Sequence, residues 1–183
     1  MARMKEIKPD EFDPATRKLG DSIAKTRGGS IQGPWAHMLR SPKLAEKAAA
    51  YSDLFRVELS LPLNVVQLAV IMAARHMNAG YVWNAQAPRA KAAGVSEAAI
   101  EAIRTRKTPA FTDPKEKAVY DLFSELYGKQ GVSDATYDAA VKALGEKGLI
   151  EVINVNGFYG IVATIVRTTG VEPRPGTSNP FAA

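Results

Sequence analysis

At Ser41–Pro42 and at Asp113–Pro114 a helix-capping side chain is followed directly by proline. The capping oxygen accepts from the unpaired N–H groups at a helix start, and proline suits the first helical position, where its missing N–H has no partner to lose. Each pair therefore starts a helix. Pro62 opens another through "LNVVQLAVIMAARHMN", Ser96 caps "EAAIEAIR", and Ser133 opens a segment that runs to Gly145. Pro88 is expected to kink or end a helix that runs from about Tyr81 toward Gly94. No alternating apolar and polar run or hairpin dipeptide opposes these signals, so the chain is expected to be all-α.

The segment "LIEVINVNGFYGIVATIVRTTG" is apolar nearly all round. Its β-branched residues also permit a strand, but its length argues for a helix, expected to be central and buried. Residues 1–30 are polar with "TRGGS" as a turn, and residues 173–183 form a proline-rich tail expected to be extended. With 183 residues and 46% apolar content, one domain is expected, at 31–172, between an N-terminal extension and that tail.

Composition narrows the chemistry. The chain has no cysteine, which removes disulfides, thiolate metal sites and thiol nucleophiles together. Net charge is +5, yet the 24 Lys and Arg are interspersed with 19 Asp and Glu, without the like-charge run that marks a nucleic-acid arm. The longest uncharged stretch, Leu59 to Ala74, is shorter than the roughly 20 apolar residues that span a bilayer. The N-terminus lacks a secretory pattern. A cytoplasmic protein is expected, with no nucleic-acid or membrane partner.

The densest polar cluster is "RHMNAGYVWNAQ", residues 75–86. On a helix through 62–78, Asn64, Gln67, Ile71, Arg75 and Asn78 fall within a sector about 80° wide, whereas His76 lies about 180° from Gln67. The polar face can satisfy carbonyls in the core, anchor a carboxylate through Arg75, or meet another subunit. His37 and His76 are the only histidines, and neither sits at metal-ligand spacing from another donor, so no metal is expected. Each can equally be structural. Trp35, Tyr81 and Trp83 read as core or interface aromatics, or as pocket walls. No GxSxG, P-loop or dinucleotide motif occurs, and no cofactor is expected.

The stretches "GPWAHMLRSPKLAEKAAAYSDLFRVELSLP", "QLAVIMAARHMNAGYVWNAQAPRAKAAGVSEAAIEAIR" and "VSDATYDAAVKALGEKGLIEVINVNGFYGIVATIVRTTGVEP" together resemble the carboxymuconolactone decarboxylase family of the AhpD-like superfamily, over about residues 30–176. The resemblance implies an all-helical AhpD-like protomer that assembles into dimers, trimers or hexamers. In the thiol peroxidase branch a Glu precedes a Cys-x-x-Cys-x-x-x-His motif. Matching it puts Gln67 at the Glu, Ala79 and Val82 at the cysteines and Gln86 at the His, all four replaced. The cysteine-free branch reads like "ARH…YEW..H", and this chain keeps Arg75, His76, Tyr81 and Trp83 of it.

An amide neither gains nor loses a proton near neutral pH, so Gln67 and Gln86 cannot act as general acid or base. The resemblance then implies a pocket of Gln67, Tyr81, Val82, Trp83 and Gln86 for a small carboxylated or cyclic molecule. It further implies either a cofactor-free lyase or isomerase using Arg75 as anchor and His76 or His37 as proton donor, or a binding or scaffold protein without catalysis. Thiol peroxidase activity is not expected.

Overall fold

The structure, a computed structural model, describes residues 2–27, 29–174 and 176–181, and of Val57 the backbone alone. The expected turn at Gly28 and the tail at Pro175, Ala182 and Ala183 lie outside the described residues. A 3-10 turn at Pro9–Glu11 is followed by eight helices: α1 Pro14–Lys25, α2 Pro34–Met38, α3 Pro42–Val57, α4 Leu63–His76, α5 Gly80–Ala92, α6 Glu97–Arg104, α7 Pro114–Lys129 and α8 Asp134–Thr169. There is no strand among the described residues.

The local signals act where expected. Asp113 accepts from the Lys115 N–H at 2.8 Å, Ser96 from Ala99 at 3.1 Å and Ser133 from Thr136 at 3.4 Å. Ser41 occupies its cap position, but its hydroxyl makes no capping bond. Pro62 is itself the cap residue of α4, one position earlier than a first helical residue. Gly145, at φ 73° and ψ 161°, breaks α8 into two helical halves, as the end expected there requires.

Residues 1–30 contain a helix that the sequence reading did not anticipate: Asp13 caps α1 through the Ala15 and Thr16 N–H groups, both at 3.0 Å, with Pro14 in the first turn. Two expectations need correction. Pro88 neither ends nor interrupts α5, because it lies on an exposed face where one missing helical bond is least costly. The most enclosed helix is α4, whose residues 68–74 are all buried and which packs against α5, α7 and α8. The second half of α8 buries Val152, Val155, Val162 and Val166, but leaves Ile150, Ile153 and Ile161 exposed.

Fully buried Leu68 and Ile71 of α4 and Phe123 of α7 anchor this core. Each such side chain contributes about 1.5–3 kcal/mol by leaving water. A buried polar link ties three helices: Asn156 of α8 donates to the Ala69 carbonyl at 3.0 Å and accepts from the Tyr127 hydroxyl at 2.7 Å. Helix α8 is long and apolar enough to cross a membrane by length and composition, but its buried face packs on α4 and α7. A second apolar layer of Ile23, Met38, Leu39, Ala45 and Ala49 joins α1, α2 and α3.

Arg27, just past α1, locks that layer. Its guanidinium donates to the Ala49 carbonyl at 3.0 Å, the Ser52 hydroxyl at 2.6 Å and the Asp53 carboxylate at 2.8 Å, and lies 4.4 Å from the Trp35 ring centre. Residues 176–181 pack back on α5 and α6: Asn84 donates to the Ser178 carbonyl and Arg104 to the Pro180 carbonyl, both at 2.8 Å, and Phe181 meets Trp83 edge-on.

Candidate functional site

Helix α5 presents Val82 and Gln86, one turn apart, to a cavity of about 90 Å³ closed by α3, α8 and the approach to α2. Gln86 is 8% exposed, and its Oε1 is buried with no hydrogen-bond partner. A buried amide left unsatisfied costs about 1–3 kcal/mol, so such groups are uncommon unless something else satisfies them. Four guanidinium groups border the same cavity, from Arg27, Arg56, Arg89 and Arg174. Among the described residues, no carboxylate or imidazole lines it.

The four arginines are not equivalent. Arg27 is committed to the α1–α3 contact, and burial is the largest influence lowering its pKa. Arg56 donates to the Thr26 carbonyl, and Arg174 donates weakly to the Tyr81 hydroxyl at 3.4 Å while lying 5.5 Å from its ring centre. Arg89, three residues after Gln86 on α5, has no side-chain hydrogen bond or ion pair to a described residue. Burial raises the pKa of Tyr159, while Arg56, Arg89 and Arg27 pull it back, so its phenol stays protonated at neutral pH. The cavity is therefore lined with donors and carries surplus positive charge, a setting that favours an anion.

Two further cavities adjoin this one through shared walls. A space of about 340 Å³, apolar through Phe55, Val66 and Val70, carries Gln67 and shares Ser52, Arg56, Arg89 and Tyr159 with the first. The Gln67 Oε1 is likewise buried without a partner. On the other flank a space of about 280 Å³ carries His37 and shares Gln32, Tyr81 and Arg174. His37 is buried, with Nδ1 3.1 Å from an Arg40 nitrogen, and its pKa is lowered first by burial and then by Arg40. It is neutral at pH 7.

Arg75 and His76 lie elsewhere. They border a cleft of about 370 Å³ that shares no lining residue with the other three. The structure thus joins Gln67, Tyr81, Val82, Gln86 and His37 along one line of cavities and separates Arg75 and His76 from them. Trp83 lines none of these spaces and packs in the core at 4% exposure. The polar sector of α4 serves separate ends: Asn64 donates to Glu116 at 2.9 Å, Gln67 faces its cavity, Ile71 is fully buried, and Arg75 donates to the Arg104 carbonyl at 2.7 Å.

No family model matches the chain, and no curated protein matches it in sequence. Among solved structures, an uncharacterized peroxidase-related protein from Silicibacter sp. TM1040 aligns with a TM-score of 0.74 over 96% of each chain, at 12% identity. The two chains share one fold. The all-α, single-domain architecture implied by the sequence is the one observed, and it is shared with that protein. A likeness at 12% identity establishes that architecture and not the reaction. Peroxide reduction on a thiol has no residue to use here, since the chain contains no cysteine.

Sequence reasoning missed Arg56, Arg89, Arg174 and Tyr159, which come from α3, α5, the tail and α8. Only Arg89 carried a local signal, its spacing of three from Gln86, which places both on neighbouring turns of one helix.

Proposed function

We propose that the protein binds a small carboxylated organic molecule along this line of cavities. The carboxylate sits between Arg89 and Arg56 beside the Gln86 amide, and an apolar or cyclic body extends past Tyr159 toward Gln67. The observation that carries this reading is the unpartnered, buried Gln86 amide in a cavity with an uncommitted guanidinium. A carboxylate accepts from Arg89, and a donor on the ligand satisfies a glutamine oxygen, so one molecule meets both demands. Arg89 replaces Arg75 as the anchor in this reading.

Binding without turnover fits the walls better than catalysis. Neither the Gln86 cavity nor the Gln67 cavity has a carboxylate or imidazole among its lining residues to move a proton near neutral pH. A cofactor-free lyase or isomerase draws instead on His37, with Tyr81 forming the wall common to both spaces. Calorimetry with carboxymuconolactone and with benzoate tests the anchor. Arg89→Gln is expected to weaken binding about tenfold or more, the usual consequence of removing a charged hydrogen bond. Unchanged affinity removes Arg89 from the site. Release of carbon dioxide from carboxymuconolactone that is lost in His37→Ala decides for the lyase.

We also propose a homo-oligomer, a dimer, trimer or hexamer. Ile150, Ile153 and Ile161 of α8 are 59%, 44% and 56% exposed, and Tyr51 of α3, which donates to Asn154 of α8, extends the same apolar face. Contiguous apolar surface of this kind marks an association site. Light scattering is expected to give a multiple of the 19.7 kDa chain mass; a single-chain mass at micromolar concentration contradicts it.

A further inference from the structure

The cleft beside Arg75 and His76 has its own chemistry, and we infer that it is a second binding site, for an organic phosphate monoester. It lies between the end of α4, the loop after α6 and helix α7. Arg75, Arg106 and Lys107 supply three permanent positive charges, with His76 beside them, and no carboxylate is among its lining residues. Glu101 pairs with Arg104 through two contacts at 2.8 and 2.7 Å and also lies within electrostatic reach of Lys107.

The positive groups are held in place rather than left to drift apart. The Asn78 side-chain oxygen accepts from Arg75 and, at 3.2 Å, from Arg106, so one amide clamps two like charges. Both Asn78 and Arg106 have left-handed backbones, at φ 48° and 58°, a conformation that is unfavourable for a side chain as large as arginine. Clustered positive potential of this kind is stabilised by an anion, and three charges suit a dianion better than a carboxylate.

The remaining walls define the rest of the ligand. The Tyr120 and Ser124 hydroxyls make no hydrogen bond to a described residue and are available as donors. The Tyr127 hydroxyl is already bonded to Asn156, and burial pushes its pKa up to about 12, so its ring serves as a backing on which the exposed His76 imidazole presents the flat surface. His76 stacks on that ring at 3.8 Å between centres and 11° between planes. Met72 and Ile103 complete an apolar floor. Charge at one end and a flat apolar surface at the other match a phosphate carried on a planar group. Because no wall is shared with the Gln86 cavity, this inference stands or falls separately from the carboxylate reading.

With two histidines, the imidazole NMR spectrum has two sets of signals, and a His76→Gln variant assigns them. Phenyl phosphate is expected to shift the His76 signal and leave His37 in place. Replacing both Arg106 and Lys107 by glutamine is expected to weaken that binding about tenfold or more, whereas Lys47→Gln with Lys142→Gln, the same loss of charge on other surfaces, leaves it unchanged. Inorganic phosphate is expected to act on the same signal more weakly. A His76 signal unmoved at millimolar phenyl phosphate overturns the inference, as does an equal response to phenol or an affinity indifferent to the Arg106 and Lys107 substitutions.

Discussion

Alanine at Gly33 is expected to destabilise the protein by about 3 kcal/mol or more and to distort the ligand cavity as well. Gly33 precedes α2 at φ 60° and ψ −133°, a backbone conformation that L residues with a Cβ rarely adopt. A Cβ built there lies 2.4 Å from both the Tyr81 ring carbon bearing the hydroxyl and the hydroxyl oxygen. Tyr81 has little room to yield, since it is buried on α5 with Arg174 over its ring. Its displacement moves the wall between the Gln86 and His37 cavities.

At roughly 2–4 °C per kcal/mol for a chain of this size, thermal unfolding should begin roughly 6–12 °C lower. Gly128→Ala is the control: a Cβ there meets nothing within 4 Å in a helix, and stability should rise by about 0.5–1 kcal/mol. Equal melting temperatures for Gly33→Ala and the wild type would show that Tyr81 is not held as described.

What the sequence disclosed and what it hid follow from the range of the interactions concerned. Helix starts at Asp113, Ser96 and Ser133 were legible because a cap is satisfied within three residues of itself. Asp13–Pro14 carries the same signal, and the polar composition around it conceals a helix that buries only Thr16, Gly20, Ile23 and Ala24. Pro88 misleads because its cost depends on exposure, which local sequence does not state. The 149–166 segment is apolar on all sides, yet burial is decided by neighbours, and α4 holds the centre.

The site divides in the same way. In the sequence, Gln67, Tyr81, Val82 and Gln86 are grouped as a pocket only through the family resemblance, which aligns them with its motif. Arg56, Arg174 and Tyr159 arrive from distant parts of the chain, and only the folded arrangement joins them to Gln86. The separation of Arg75 from Gln67 turns on which cavity each side chain borders, which a helical projection does not contain.

Gln86→Met carries the second large effect, and it runs in opposite directions for stability and binding. Methionine fills nearly the same volume without an amide, so the buried, unpartnered oxygen is removed and no hydrogen bond is lost within the protein. Stability in the absence of ligand should hold or rise by about 1 kcal/mol, while affinity for a carboxylated ligand that carries a hydroxyl donor falls about tenfold or more. If Gln86 were kept to support the fold, the same substitution would lower stability and leave binding untouched.

The decisive measurement is therefore a calorimetric titration of mandelate, a carboxylate that also carries a hydroxyl donor, with benzoate as the donor-free comparison, into the wild type and Gln86→Met, paired with their unfolding curves. The account predicts mandelate binding to the wild type, its loss of about tenfold or more in Gln86→Met, and an unfolding midpoint no lower than that of the wild type. Equal affinities for mandelate, or a variant that binds normally and unfolds earlier, would contradict it.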